Sequence, residues 1–438
     1  MATVIGIVVL VVGLLVSIAL HEVGHMVPAK KFGVRVSQYF VGFGPTLWSR
    51  HGKETEYGVK AIPLGGYVRL IGMIPPADKV KPVKVKGWAG RTIADAREAA
   101  VEEIHEGEDH RAFYHLTWWR KVIVMAGGPL VNLVLAVLLF TATLSFIGAP
   151  TSTLTVDSVV PCVPAAGAVE CSADDPESPA AAAGLEAGDT ITAVDGTDVE
   201  TWDEATAIIG ASAGETIDVD VVRDGETVTL DVTPEERERV VYDDAGQPVT
   251  DDAGNPVTET VGYMGMYSEV QTQRQPLTAG AELTWDYLGQ TIQVIVTLPE
   301  HLYHTTRAAF GLEDRDASSV IGVVGVGQVA GEIASADVEG YGLKHKVGDM
   351  MMLLGGLNLA LFAFNMIPLV PLDGGHIASA LWQAIKNGWA RVRGLAKPAP
   401  VDVARMMPFA YAMFGFLMLM GVILIYADIV APVTVAGS

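Results

Sequence analysis

His21-Glu22-Val23-Gly24-His25 stands at the end of an apolar stretch with no charged residue from Met1 to Leu20. As a helix, about twenty such residues rise about 30 Å, the hydrocarbon thickness of a bilayer. Two His at i and i+4 lie one above the other on one helical face, so both imidazoles reach one ion. A Glu beside them can take a proton from a metal-activated water. Three ionisable residues are costly in an apolar helix and usually functional there. The stretch predicts one Zn2+ per chain, held in the inner part of a membrane, with the chemistry of metal-dependent hydrolysis.

The remainder of the chain agrees with a membrane setting. Of 438 residues, 50% are hydrophobic and the mean hydropathy is +0.35, high for a soluble protein and suited to spans separated by a folded domain. Charge-free runs long enough to cross lie at about 2–20, 122–148, 350–372 and 406–427. No basic residue precedes the first run and the candidate ligands close it, so it reads as a retained span and not a cleaved signal peptide.

Charge divides by segment. Residues 26–121 carry 16 Lys/Arg against 10 Asp/Glu, whereas residues 149–347 carry 8 against 36. The positive-inside rule places 26–121 and the basic loop before the fourth run in the cytoplasm, with both termini and the acidic middle outside, in the cell inner (cytoplasmic) membrane. Trp118 and Trp119 suit the inner interfacial belt. The acidic excess reads as a solubility feature and argues against nucleic acid as a partner; the lipid bilayer is the expected one.

Outside, residues 151–235 read as a compact β-rich domain. Its most informative stretch is SPAAAAGLEAGDTITAVD at 178–195, a small-residue helix start, a Gly-containing loop and an alternating strand. Backbone N–H groups of such a loop can receive a peptide carboxylate. Cys162 and Cys171 share this oxidising side, and two readings stand: a disulfide or two free thiols. Within 236–347, DDAGQPVT (243–250) and DDAGNPVT (251–258) repeat an octapeptide, a turn-rich hairpin extension too short for a solenoid. Residues 277–309 have the spacing of an amphipathic helix on the outer membrane face.

Inside, residues 34–40 and 56–70 read as β-hairpins broken by Gly42, Gly44 and the Gly65-Gly66 pair. Either the sheet dips into the membrane and offers an edge to an extended peptide, or it only packs against the helices. Asn132, in the second run, either bonds a neighbouring helix or lines the site.

The third run ends in Asn365-Met366-Ile367-Pro368-Leu369-Val370-Pro371-Leu372-Asp373-Gly374-Gly375-His376. Two prolines three apart break a helix, which is tolerated at membrane depth only around a polar cavity. Asp373 is the carboxylate that a two-His site needs as third ligand, and both runs enter from the same side, so it falls at the level of His21 and His25. A helix cap or a partner for a cytoplasmic Lys are the alternatives for Asp373.

HEVGH at 21–25, GGYVRL at 65–70, WWRKVIVMAGGPLVNLVLA at 118–136 and FNMIPLVPLDGGH at 364–376 together resemble the site-2 protease family of intramembrane zinc metalloproteases. The likeness is to the bacterial branch that cleaves anti-sigma factors, with one PDZ domain. It covers nearly the whole chain; the repeat at 243–258 and the Cys pair depart from it. The resemblance implies His21, His25 and Asp373 as zinc ligands, Glu22 as general base, and Asn365 holding substrate or stabilising the oxyanion. It implies that the strand with Gly65, Gly66, Tyr67 and Val68 pairs with an unwound substrate segment. The partner would be a single-span membrane protein such as an anti-sigma factor, first shortened by an upstream site-1-type protease and screened by the outer PDZ-like domain.

The expected fold is a polytopic α-helical membrane protein with a membrane-associated β-hairpin sheet and an inserted extracytoplasmic PDZ-like α+β domain. Its segments are a first transmembrane helix (1–31), a re-entrant hairpin region with a surface helix (32–121), a second span (122–148), the PDZ-like domain (151–235), its extension (236–347), a third span (348–376), a cytoplasmic loop (377–405) and a fourth span (406–430). Two rival functions use the same residues: a membrane PDZ adaptor with a non-catalytic zinc site, and an anchored metalloprotease acting on soluble peptides.

Overall fold

The computed structural model describes residues 1–432 apart from 81–86, 103, 105–106, 164–174, 243–248, 252–254, 314, 316–318 and 339–340. The chain begins with α1 (Ala2–Lys31), β1 (Val36–His51), β2 (Glu56–Leu70), α2 (Trp88–Glu102) and α3 (Trp118–Ala142). It continues through β3 (Ala149–Val159), α4 (Pro179–Ala182), β4 (Thr190–Val194), β5 (Thr197–Asp198), α5 (Trp202–Ala211), β6 (Ile217–Arg223), β7 (Glu226–Val232), β8 (Glu235–Val240), β9 (Thr258–Tyr263) and β10 (Met266–Gln273). It ends with α6 (Ala279–Val296), α7 (Leu298–Ala309), α8 (Val323–Ser335), α9 (Leu343–Met366), α10 (Asp373–Val392) and α11 (Met407–Val430). Two compact units result: residues 1–146 with 276–438, and residues 147–275.

In the first unit, α1, α3, α9 and α11 are long and apolar enough to cross a bilayer. Valines and isoleucines along α1 and aromatic residues along α11 are exposed, the pattern of helices whose outer faces meet lipid. The helices touch through small residues, which let backbones approach closely. Gly24 of α1 lies against the Gly127 carbonyl of α3, and Gly127 against that of Gly24. Gly6 and Gly331 seat α8 on the first half of α1, against Ala330 and Thr3.

The β1–β2 sheet is more than a simple hairpin. Gly42 and Gly44 adopt φ of +92° and +80°, where glycine carries no steric cost, and bend β1 in the middle. Its first half pairs on both sides, so that Tyr39 lies opposite Val68 and also opposite Tyr57. Its second half pairs only with the start of β2, leaving residues 66–70 as an outer strand. The tip exposes Phe43, Leu47, Trp48 and Ile62. Below it, Ala29, Val34, Val36, Leu70, Val124 and Ile377 form one buried apolar cluster that ties the end of α1, both strands, α3 and α10 together.

The second unit is a β domain with sheet order β10-β3-β4-β6-β7, with β5 paired to β4. Alternate residues Ile217, Val219 and Val221 of β6 enter its core with Ile191, Val194 and Val232. Thr201 and Glu204 form a capping box that starts α5. The buried Asp189 receives two hydrogen bonds from Arg223, at 2.6 and 2.8 Å, and Arg223 holds its carboxyl below the usual carboxylate range.

Several expectations are corrected. The β domain runs to residue 275, because β10 pairs with β3, so residues 236–275 belong to it and not to a separate extension. Most N–H groups of the loop at 184–189 are already bonded within the domain and are not offered to a carboxylate. Those of Gly184 and Leu185 donate to Ala181 and Ala180, Glu186 to the Asp189 side chain, Gly188 to Val156 and Asp189 to Glu186. The amphipathic stretch 277–309 is two helices, since Pro299 starts the second. The third span stops at Met366, and much of the expected loop at 377–405 is the helix α10. Cys162 is buried; Cys171 lies outside the described residues, as do 243–248 and 252–254 of the octapeptide repeat.

Candidate metal centre

Helical spacing stacks His21 and His25 on α1, their Nε2 atoms 3.1 Å apart. Asp373 reaches them from the first turn of α10, with Oδ2 3.4 Å from His21 Nε2 and 3.3 Å from His25 Nε2. The turn around Asp373 is tight because two glycines come directly after it: a Cβ on Gly374 would strike the backbone of Met366 and Ile367, and one on Gly375 the backbone of Leu369 and Val370. Among the described residues this is the one cluster of three or more His, Cys, Asp or Glu donors able to hold an ion.

The donors fit zinc. Tetrahedral coordination at about 2.0 to 2.1 Å separates neighbouring donor atoms by about 3.3 Å. The three separations here, 3.1, 3.3 and 3.4 Å, match that edge. Protonation agrees: His25 Nδ1 lies 2.8 Å from the Val124 carbonyl, which only accepts, so Nδ1 carries the proton and Nε2 presents a lone pair. Gly128 of α3 keeps the approach open, because a Cβ there would fall 2.7 Å from His21 Nε2 and closer still to His25 Nε2.

Glu22 is 9% exposed and lies beside the outer strand. A Cβ on Gly66 would meet its Cγ at 3.2 Å. Gly65, at φ +117°, turns the chain into this strand beneath the Phe43 ring, and Tyr67 stacks on Phe40 and Phe43.

Asn132 is 1% exposed and touches His21, with Nδ2 3.1 Å from Nδ1. Asn365, on the last turn of α9, donates to the Leu361 carbonyl of its own helix at 3.0 Å. Two contributors were not legible in the sequence: the Val124 carbonyl, which is backbone, and the space left by Gly128, whose significance needs the neighbouring helix.

Comparison with known proteins agrees with this chemistry. Peptidase family M50 matches residues 9–407. Zinc metalloprotease Rip1 of Mycobacterium tuberculosis is 33% identical over 441 residues, covering 98% of each chain. Metalloprotease MmpA of Caulobacter vibrioides is 28% identical over 395 residues, 87% of this chain and 88% of its own. Zinc metalloprotease RasP of Oceanobacillus iheyensis is 24% identical over 473 residues, 96% and 97% of the two chains. With four apolar helices long enough to cross a bilayer and a match over nearly its whole length, this multi-pass membrane protein belongs to peptidase family M50, the site-2 protease family, and is a zinc metalloprotease.

Proposed function

We propose that the protein cleaves peptide bonds inside the transmembrane segments of single-span proteins, of which anti-sigma factors are the class expected. The observation that carries this reading is the His21, His25 and Asp373 cluster, largely buried and built on and beside helices long enough to span a bilayer. A scissile bond within a helix has its carbonyl hydrogen-bonded and its carbon shielded, so the segment must first be extended. The outer strand at residues 66–70 is suited to accept an extended peptide as a further strand, replacing the backbone bonds that unwinding removes. The exposed apolar tip with Phe43, Leu47 and Trp48 supports a sheet that dips into lipid.

In this reading His21, His25 and Asp373 hold zinc. Zinc, when bound, supplies the Lewis acidity that polarises a peptide carbonyl and lets water lose a proton near neutral pH. Glu22 takes that proton and returns it to the leaving amine, its side chain lying against Gly66 of the outer strand. Asn365 contacts the substrate near the scissile carbonyl. The charge division between residues 26–121 and 149–347 supports both termini and the acidic unit lying outside the cytoplasmic membrane. There the β domain, PDZ-like in this reading, admits only substrates shortened by an earlier protease.

Glu22→Gln is expected to retain stoichiometric zinc and to lower cleavage of a reconstituted single-span substrate by about 10²- to 10⁴-fold. Hydrolysis near the wild-type rate would remove Glu22 from the mechanism.

A further inference from the structure

Asn132 poses a problem of hydrogen-bond polarity. Its side chain is buried in α3, its Oδ1 has no partner, and its Nδ2 faces His21 Nδ1 at 3.1 Å. A buried amide oxygen without a partner is costly. A ring that binds metal through Nε2 carries its proton on Nδ1, as His25 does when it donates to Val124. In that state His21 Nδ1 is a donor and would meet the Nδ2 donor of Asn132. A half-turn of the amide exchanges O for N at nearly the same positions, and then His21 Nδ1–H donates to Oδ1.

We propose that Asn132 is a positioning residue for the metal centre. Its Oδ1 accepts from His21 Nδ1–H, fixes the tautomer with a bare Nε2, and does for His21 what the Val124 carbonyl does for His25. The role is distinct from substrate binding, since the side chain is 1% exposed and is directed at the imidazole. The inference rests on the reading of His21 as a zinc ligand. Partners that orient metal-bound His contribute about 10- to 100-fold to affinity.

The test is zinc affinity, measured by competition with a chromogenic chelator on the detergent-purified full chain, with unfolding of the metal-free protein as a check on folding. Asn132→Leu keeps the volume but accepts no hydrogen bond, and is expected to weaken zinc binding by about 10- to 100-fold. Asn132→Asp can accept but not donate, and is expected to bind zinc within about threefold of wild type or more tightly. Rescue by Asp separates this role from packing, because a carboxylate introduced at a merely structural site would harm it. Wild-type affinity in Asn132→Leu, or a loss in Asn132→Asp as large as that in Asn132→Leu, overturns the proposal. If Asn132→Leu does not fold, a loss of more than about tenfold in Asn132→Asp alone overturns it. His21→Ala tests the underlying assignment separately: retention of zinc there removes His21 as a ligand, whereas loss there with both Asn132 variants unchanged removes only the role of Asn132.

Discussion

Asp373 and Asp428 are both secluded carboxylates of the membrane unit, with side chains 16% and 0% exposed, and their surroundings are opposite. Asp428, near the end of α11, is fully satisfied by the chain itself. Its Oδ1 receives Arg315 at 2.9 Å, and its Oδ2 receives the N–H groups of Gly322 and Gly325 at 2.9 and 2.8 Å, where α8 begins. Asp373 instead faces two imidazole nitrogens, one of which is fixed as a lone-pair donor by the Val124 carbonyl. One carboxylate is closed by a cation of the chain and by a helix N-terminus, and so builds structure. The other belongs to a set of acceptors that only a cation from outside can hold together, which is why the same residue type serves chemistry at one end of the bundle and architecture at the other.

The largest effect that would sharpen this contrast is expected at Gly128. Gly128→Ala places a methyl group against both Nε2 atoms, and zinc affinity should fall by about a hundredfold or more. The added methyl should cost only about 1 to 3 kcal/mol in stability. Zinc content and thermal unfolding of one preparation measure both, and undiminished zinc would place the metal elsewhere.

Asp428→Ala should do the reverse. It leaves the 3%-exposed Arg315 side chain without its carboxylate, which should destabilise the membrane unit by about 3 to 5 kcal/mol while zinc affinity is unchanged. Unfolding in mixed micelles reads the first and chelator competition the second; a zinc defect without a stability defect would break the comparison.

A smaller effect is expected in the β domain. Arg223 depresses the Asp189 pKa, so the stabilisation by this pair is fully present above the unfolded carboxylate value of about 3.9 and is lost as pH falls through the lower folded value. Asp189→Asn should cost about 2 kcal/mol at neutral pH and flatten the acid loss below about pH 4. Hydrogen exchange of amides in residues 190–232 of the full chain, tracked against pH, checks this; an unchanged acid profile would remove the pair as its cause.

Legibility in the sequence depended on the range of the interactions. The HEVGH stretch was readable because both imidazoles belong to one helix, and Asp373 because its motif stands at the end of an apolar run broken by two prolines. The helical start at Asp373 was less visible, since Pro368 and Pro371 mark the end of one helix but carry no signal for the start of the next. Asn132 stood between two readings because a single Asn in an apolar helix does not reveal its partner, here 111 residues away. The Arg315–Asp428 pair was missed although an acidic residue so near the end of an apolar run was a signal, because its partner is 113 residues distant in a loop without periodicity. The bent sheet was only half readable: glycines announced the breaks, but the double pairing of the first half of β1 depends on how β2 folds back.

The central claim is that two imidazoles and the Asp373 carboxylate share one zinc ion. Zinc K-edge X-ray absorption on the purified full chain, compared with Asp373→Ala, tests it most directly. The predicted result is about two imidazole nitrogens at about 2.0 to 2.1 Å with oxygen ligands at about 2.0 to 2.2 Å, and an altered or lost signal in Asp373→Ala. Sulfur in the first coordination sphere, or an identical spectrum at full zinc occupancy in the variant, would contradict it.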